Sequence, residues 1–138
     1  MSNLVHAPHQ DSLSLYLHIP FCRTKCNYCD FNTYAGIESL IPAYVDALVK
    51  EMEMWGRAAG PKSRVDTVFL GGGTPSLLPV GDTDSILQTC ATAFELSPGA
   101  EVTLESNPGD LNPRLLEGLL AAGVNRLSIG VQSFNNAD

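Results

Sequence analysis

Four short apolar segments alternate with three helical patterns along the chain, and this alternation limits the possible folds more than any other feature. The segments at 14–19, 67–70, 101–105 and 126–132 are predicted to be strands. Neighbouring parallel strands need a crossover connection, which helices of this length provide. The sequence therefore predicts an α/β fold with a parallel sheet.

The three predicted helices each carry an apolar stripe and recognisable end signals. The first has Pro42 in its opening turn and is expected to end near Gly56, and the second covers about 84–96. The third has Asn112 as N-cap and Gly123 as its C-terminal stop. Each helix is therefore expected to bury one face. The residues expected there are Val45, Leu48, Val49 and Met52, then Ile86, Leu87, Cys90 and Phe94, then Leu115, Leu116, Leu119 and Leu120.

The two faces of the predicted sheet differ in polarity. One face carries Leu15, Leu17, Ile19, Leu127, Ile129 and Val131, and the other carries Tyr16, His18, Thr103, Glu105, Ser128, Gly130 and Gln132. A strand between two helical layers should be apolar on both faces, whereas a barrel strand can face a mixed interior. The pattern predicts a partial parallel (β/α) barrel, with its chemistry at the C-terminal ends of the strands. Four strands cannot close a barrel, so further strands are expected after residue 138.

The composition is typical of one globular domain. We expect this domain at 14–138, after a flexible leader at 1–13. The chain has no run of roughly 18 apolar residues and no secretory signal, so we expect it in the cytoplasm. Its net charge of −7 and lack of Lys/Arg runs argue against binding to nucleic acid. The sequence has no pattern that would indicate or exclude a peripheral contact with a membrane.

Three of the four cysteines lie in Cys22-Arg-Thr-Lys-Cys26-Asn-Tyr-Cys29, directly after the first strand. Disulfides are rare in a reducing compartment, so this crowding indicates metal or redox chemistry. The C-x3-C-x2-C spacing lets three thiolates hold one face of a 4Fe-4S cluster and leaves one iron open. The alternative is a structural zinc site with His18 or Asp30 as fourth ligand, although zinc usually takes two paired ligand sets.

These cysteines, placed after Tyr16-Leu-His18-Ile-Pro20-Phe, resemble the signature of the radical S-adenosylmethionine (SAM) superfamily. The resemblance implies that the open iron binds the amino and carboxylate groups of SAM. It also implies that an electron donor reduces the cluster, which passes the electron to the sulfonium and gives methionine and a 5'-deoxyadenosyl radical. The cofactors would do this chemistry, while the protein positions them and excludes water.

The loop Gly71-Gly72-Gly73-Thr74-Pro75 follows the second strand. Glycines let backbone groups approach a ligand closely, although a tight turn without a ligand is the alternative. The loop is neither a dinucleotide fingerprint nor a phosphate loop. It resembles the GGGTP segment that meets the methionine amino group of SAM in this superfamily, which implies SAM contacts at Gly72, Gly73 and Thr74.

Four more residues resemble SAM-binding positions of the superfamily. Glu105 ends the third strand in a segment like EANPG, whose glutamate contacts SAM; a solvated or loop-tying glutamate is the alternative. Gln132 matches a SAM-contacting glutamine at the end of the fourth strand. Tyr16 and Tyr28 match aromatic positions near the cluster and the adenine, with core packing and loop exposure as their respective alternatives.

The other cysteine and the histidines have simpler interpretations. Cys90 is expected to be an inert core thiol. His6 and His9 fall in the leader, where disorder is the default. His18 faces the predicted site but could equally be a supporting or core histidine.

The segments LYLHIPFC, CNYCDFN, VFLGGGTPS, ESNPGDL and NRLSIGVQSF together resemble the branch that contains oxygen-independent coproporphyrinogen III oxidases and HemW haem chaperones. Phe31 stands where the oxidases typically carry a further cysteine, and only 13 residues precede Ser14, where the oxidases have a longer segment. Both details favour the chaperone. This implies binding of SAM and haem, and haem delivery to acceptors such as respiratory haem proteins; the alternative is radical decarboxylation of coproporphyrinogen propionates.

Overall fold

The chain forms a parallel sheet with three helices along it. The computed structural model describes residues 12–60, 63–131 and 133–135. In chain order, the elements are β1 (Leu13–Ile19), β2 (Phe21–Cys22), β3 (Tyr34–Ala35), α1 (Ile41–Ala59), β4 (Arg64–Gly72), α2 (Val80–Ala93), β5 (Glu95–Ser106), α3 (Pro113–Ala122) and β6 (Arg126–Ile129). Single 3-10 turns lie at Glu38–Leu40, Pro75–Leu77 and Pro108–Asp110. The predicted alternation of strands and helices is confirmed.

The main sheet has the strand order β1-β4-β5-β6, and all of its neighbouring strands are parallel. Each βα unit adds its strand on the same side of the previous one, as in a barrel, whereas a doubly wound sheet reverses direction. Within the described residues the sheet stays open. The predicted α/β class with a partial parallel barrel is confirmed.

The polarity difference between the two sheet faces is confirmed on β1, β4 and β5, whereas Ile129 and Val131, which were predicted on the apolar face, are 44% and 43% exposed. The face towards the helices is apolar and buried, with Leu17, Ile19, Val68, Leu70 and Leu104 at its centre. The opposite, inner face carries Tyr16, Phe69, Thr103 and Arg126, which are aligned across the four strands. Among the described helices, none is long and apolar enough to span a membrane.

A hydrogen-bonded group closes the N-terminal end of this sheet. Asp66 on β4 accepts hydrogen bonds from Ser97 on β5 and from Arg64 Nε at 3.2 Å. Its pKa falls to about 2, mainly because of the Ser97 hydrogen bond and then that from Ser12. The group therefore links β4, β5 and the start of β1. It lies at the opposite end of the sheet from the segment between β2 and β3, which carries Cys26 and Cys29 and is called the cysteine loop below.

Helices α1 and α2 end at residues other than those predicted. Helix α1 continues past Gly56 to Ala59, because Gly56 is a packing residue: a Cβ added there would lie 2.5 Å from the Ala93 carbonyl oxygen. Helix α2 covers Val80–Ala93 and not 84–96, since Phe94 is already extended. Its predicted stripe is nevertheless buried, including Cys90 and Phe94.

The ends of α3 are confirmed, but half of its predicted buried face is not. Asn112 Oδ1 accepts from Leu115 N at 3.0 Å, and Gly123 is left-handed with φ 107°. Leu119 is buried, whereas Leu116 and Leu120 are 38% and 69% exposed. These two leucines line a cavity beside β6 that no described element fills.

Strand β6 is shorter than the predicted 126–132. It ends at Ile129, because Val131 N bonds to Ile129 O at 3.0 Å in a tight turn. Gln132 and the leader histidines His6 and His9 lie outside the described residues.

Candidate functional site

The C-terminal ends of the parallel strands surround a cavity of ≈ 280 Å³. This is near the lower end of the range of about 300–1,000 Å³ for small-molecule pockets. Its walls come from the cysteine loop, the glycine loop and the ends of β5 and β6, and include Cys22, Cys26, Tyr28, Cys29, Gly72, Gly73, Thr74, Glu105, Asn107 and Ser128. The structure thus brings together most of the residues singled out from the sequence.

The cysteine loop is held closed at both ends. Strands β2 and β3 pair in parallel, and Tyr34 N bonds to Pro20 O at 2.8 Å. Lys25 Nζ bridges the loop by donating to Thr33 O at 3.2 Å. Cys22 and Cys29 are half-buried, Cys26 is exposed, and all three are free thiols. The loop therefore presents unpaired sulfurs from a braced backbone.

His18 joins strand β1 to this loop. Its Nε2 donates to the carbonyl of Asn32 at 2.8 Å, which leaves Nδ1 to accept from the Tyr16 hydroxyl at 3.2 Å. Zinc binding by His18 would have to replace one of these two hydrogen bonds. Of the interpretations that the sequence left open, the supporting role is the one its contacts favour.

The glycine loop fits against its neighbours only because its glycines lack side chains. Gly72 has φ 116°, and a Cβ there would lie 2.5 Å from the His18 ring. A Cβ on Gly73 would lie 2.5 Å from the carbonyl oxygen of Phe21. The loop therefore lies directly against β1 and the start of the cysteine loop.

The N–H groups of the glycine loop already have partners. Gly73 N donates to Ile19 O and Thr74 N to Phe21 O, both at 2.8 Å. Gly72 N donates to Glu105 Oε2 at 3.0 Å. Glu105 thus holds the glycine loop in place, which is one of the roles that the sequence left open. It also lines the cavity. The loop can consequently offer a ligand acceptor carbonyls more readily than donors.

Sequence reasoning missed three residues that support the two loops. Asn107 Nδ2 donates to Thr74 Oγ1 at 3.3 Å, and Thr33 Oγ1 lies 3.8 Å from Cys29 Sγ. Asp110, largely buried, accepts from Arg23 Nε at 3.4 Å and from the hydroxyl of Ser76 at 3.3 Å. Asn107 and Asp110 lie in the segment ESNPGDL, whose resemblance to the superfamily could have identified them as site residues. Nothing in the sequence marked Thr33.

The two tyrosines differ in their relation to the cavity. Tyr28 lines it and is 73% exposed, and its pKa is raised, chiefly by a hydrogen bond with Cys26. Tyr16 is not among the lining residues; its ring stacks on Phe69, with the centroids 6.0 Å apart. Its contact with SAM stays a prediction, as does that of Gln132.

The sulfur donor set is compatible with an iron-sulfur cluster. Among the described residues, no three His, Cys, Asp or Glu side chains lie close enough to hold one metal ion. A cubane binds each thiolate at a separate iron, so its ligands surround the cluster and need not converge on one point. Three free thiols on the wall of one cavity fit that arrangement. Cys90 takes no part, because burial raises the pKa of its thiol to about 12.

Comparisons with known proteins agree with this geometry. Residues 16–137 match the model of the radical SAM superfamily. The haem chaperone HemW of Escherichia coli K12 is 42% identical over 89% of this chain and 32% of its own length. The anaerobilin synthase of E. coli O157:H7 is 39% identical over 88% of this chain and 28% of its own.

A solved structure gives the same result. The coproporphyrinogen III oxidase HemN of E. coli, described as a radical SAM enzyme, superposes with a TM-score of 0.83 and 33% identity. The match covers 92% of this chain and 29% of that one. The chain spans about a third of the length of the proteins it matches.

Proposed function

The chain belongs to the radical SAM superfamily, and from this premise we propose that it binds a 4Fe-4S cluster on Cys22, Cys26 and Cys29 and SAM in the adjoining cavity. The observation that carries the proposal is the meeting of three free thiols, the glycine loop and Glu105 around one cavity. When bound, the reduced cluster supplies the electron that can cleave SAM. The chain's own residues hold, orient and shield the two cofactors.

The polarity of the glycine loop suits one end of SAM. All three N–H groups from Gly72 to Thr74 are engaged within the protein, so the loop offers acceptors. Carbonyl oxygens and the Glu105 carboxylate favour a cationic group such as the amino group of a methionine moiety. We propose that Gly72, Gly73, Thr74 and Glu105 bind that end. Tyr16, Tyr28 and Gln132 are proposed for the rest of the molecule.

For the whole protein we propose a cytoplasmic HemW-like haem chaperone, which takes haem and passes it to acceptor proteins such as respiratory haem proteins. HemW of E. coli is among the relatives, and the residue that favours the chaperone is Phe31. Phe31 is 69% exposed on the cysteine loop, at the position where the oxidases typically carry another cysteine.

The second candidate is an oxygen-independent coproporphyrinogen III oxidase, which the superposition on HemN favours. Sequence identity does not separate the activities, since anaerobilin synthase matches almost as well as HemW. The zinc module has less support, because His18, one of its two candidate fourth ligands, is engaged by Tyr16 and Asn32; Asp30 stays the other candidate.

The test is anaerobic reconstitution of the full-length protein with Cys26→Ala and, as a matched control, Cys90→Ala. We expect iron and acid-labile sulfide in equal amounts in the wild-type protein and in Cys90→Ala, and loss of the cluster absorption in Cys26→Ala. An unchanged cluster spectrum in Cys26→Ala would contradict the proposal, and zinc without sulfide would support the zinc module.

Haem titration and product analysis of the same samples separate the two whole-protein candidates. The chaperone should bind haem and leave coproporphyrinogen III intact in the presence of SAM and a reductant. Formation of protoporphyrinogen would establish the oxidase and end the chaperone proposal.

A further inference from the structure

Two of the three loop cysteines have a buried threonine hydroxyl beside the sulfur. Thr74 Oγ1 lies 3.8 Å from Cys22 Sγ, and Thr33 Oγ1 lies 3.8 Å from Cys29 Sγ. Hydrogen bonds to sulfur are longer than those to oxygen, because the sulfur atom is larger and a weaker acceptor. The threonines are only 6% and 1% exposed, so each side chain is held in place by its surroundings.

The direction of both hydrogen bonds follows from the chemistry of a ligating cysteine. A thiolate on iron has lost its proton and can only accept, so each threonine hydroxyl must donate. At Thr74 the orientation is fixed further, because Asn107 Nδ2 donates to Oγ1 at 3.3 Å. The hydroxyl hydrogen of Thr74 is then left for Cys22 Sγ, in a chain that runs from Asn107 through Thr74 to Cys22.

We propose that Thr74 and Thr33 are positioning residues whose hydroxyls donate to two of the cluster's cysteine ligands and raise its reduction potential. Reduction adds negative charge that the sulfurs share, and a donor stabilises that charge more in the reduced state. The effect is to make the cluster easier to reduce by the protein's electron donor. The inference rests on the cluster proposed above and concerns its energetics, not its presence.

Thr33 and Thr74 reach the cysteines from two different segments of the chain. Thr33 lies four residues after Cys29, within the cysteine loop, whereas Thr74 belongs to the glycine loop. Tyr28, beside Cys26, differs from the two threonines because its side chain is 73% exposed to solvent. The two threonines therefore provide two independent tests of one effect.

The experiment is a potentiometric titration of the reconstituted full-length protein, followed by electron paramagnetic resonance and run without SAM. Thr74→Val and Thr33→Val keep side-chain shape and remove the hydroxyl, while Thr74→Ser and Thr33→Ser keep the hydroxyl. The matched control is Thr83→Val on α2. Thr83 is also fully buried, but its hydroxyl has no hydrogen-bond partner among the described residues.

We expect both valine variants to have more negative midpoint potentials than the wild type, with a larger shift in the double variant. Both serine variants and Thr83→Val should stay at the wild-type potential, and iron and sulfide contents should be unchanged throughout. Asn107→Ala should shift the potential in the same direction as Thr74→Val, by a smaller amount.

The result that would overturn the inference is a normal cluster content with unchanged potentials in both valine variants. Equal shifts in Thr74→Ser and Thr74→Val would also overturn it, since packing would then be the cause. Loss of iron from Thr74→Val would contradict an electronic role, because removing one hydrogen bond should leave coordination intact. A wild-type protein without any cluster would instead refute the proposed function.

Discussion

The Glu105 carboxylate holds the glycine loop through Gly72 N, and it also lines the cavity proposed for SAM. Glu105→Gln separates these two roles. The amide oxygen of glutamine can still accept from Gly72, so the melting temperature should stay close to that of the wild type. The negative charge is lost, however, and hydrogen bonds to charged groups exceed neutral ones by about 1–1.5 kcal/mol. SAM affinity measured by calorimetry should therefore fall roughly tenfold.

The control for this prediction is Glu101→Gln on the same strand. Glu101 faces the same side of the sheet, pairs with Arg126 Nη1 at 3.0 Å and is not among the residues lining the cavity. Its variant should bind SAM normally. Wild-type affinity in Glu105→Gln would show that Glu105 only ties the loop.

At the residue scale, sequence could identify the groups but not their hydrogen-bond partners. The cysteines, the glycines and Glu105 are marked by their spacing and by their position after strands. That Gly72 donates to Glu105 depends on the register between β4 and β5, and that His18 donates to Asn32 depends on how the cysteine loop folds back onto β1. The segment ESNPGDL marked Asn107 as a candidate, but not its contact with Thr74, and the contact of Thr33 with Cys29 depends on a loop conformation that no local pattern predicts.

At the element scale, Gly56 shows how a helix signal can mislead. Glycine commonly follows a helix end, but here it lies inside α1, where the backbone meets Ala93 of α2. The amphipathic period predicted the existence and the buried face of α1 and α2, because burial repeats along a helix. Their exact ends depend on the neighbouring helix, which the local pattern does not contain.

Gly56→Ala should destabilise the protein although alanine is the better helix former. Its Cβ would lie 2.5 Å from the Ala93 carbonyl, which is backbone and cannot move aside alone. Overpacking typically costs about 1–3 kcal/mol, and the gain in helix propensity of up to about 1 kcal/mol offsets only part of it.

Urea unfolding of Gly56→Ala and Gly81→Ala checks this prediction. Gly81 lies in α2, and a Cβ there would have nothing within 4 Å among the described atoms. Gly81→Ala should leave stability unchanged or raise it. Equal stability of Gly56→Ala and the wild type would show that α1 and α2 can separate at little cost.

At the scale of the whole molecule, the helical pattern of α3 predicted more burial than the described part of the chain provides. Leu116, Leu119, Leu120, Val124 and Leu127 line an apolar cavity of ≈ 190 Å³ between α3 and β6. Sequence periodicity identifies a face that can be buried, but it does not identify the partner that covers it. Over the described residues, this apolar face and the outer edge of β6 stay open.

Residues 1–138 expressed alone should therefore associate with themselves through α3 and β6. An exposed sheet edge beside an apolar groove favours pairing with another copy. Leu120→Glu should reduce this association, as measured by sedimentation velocity over a range of concentrations. Because Leu120 is 69% exposed, its replacement should change the stability of the monomer by no more than about 0.5 kcal/mol.

The matched control is Leu40→Glu, at a leucine that lies just before α1 and is 54% exposed. This variant should associate like the wild type. A monomeric wild-type fragment at all concentrations, or equal effects of the two substitutions, would contradict association through this face.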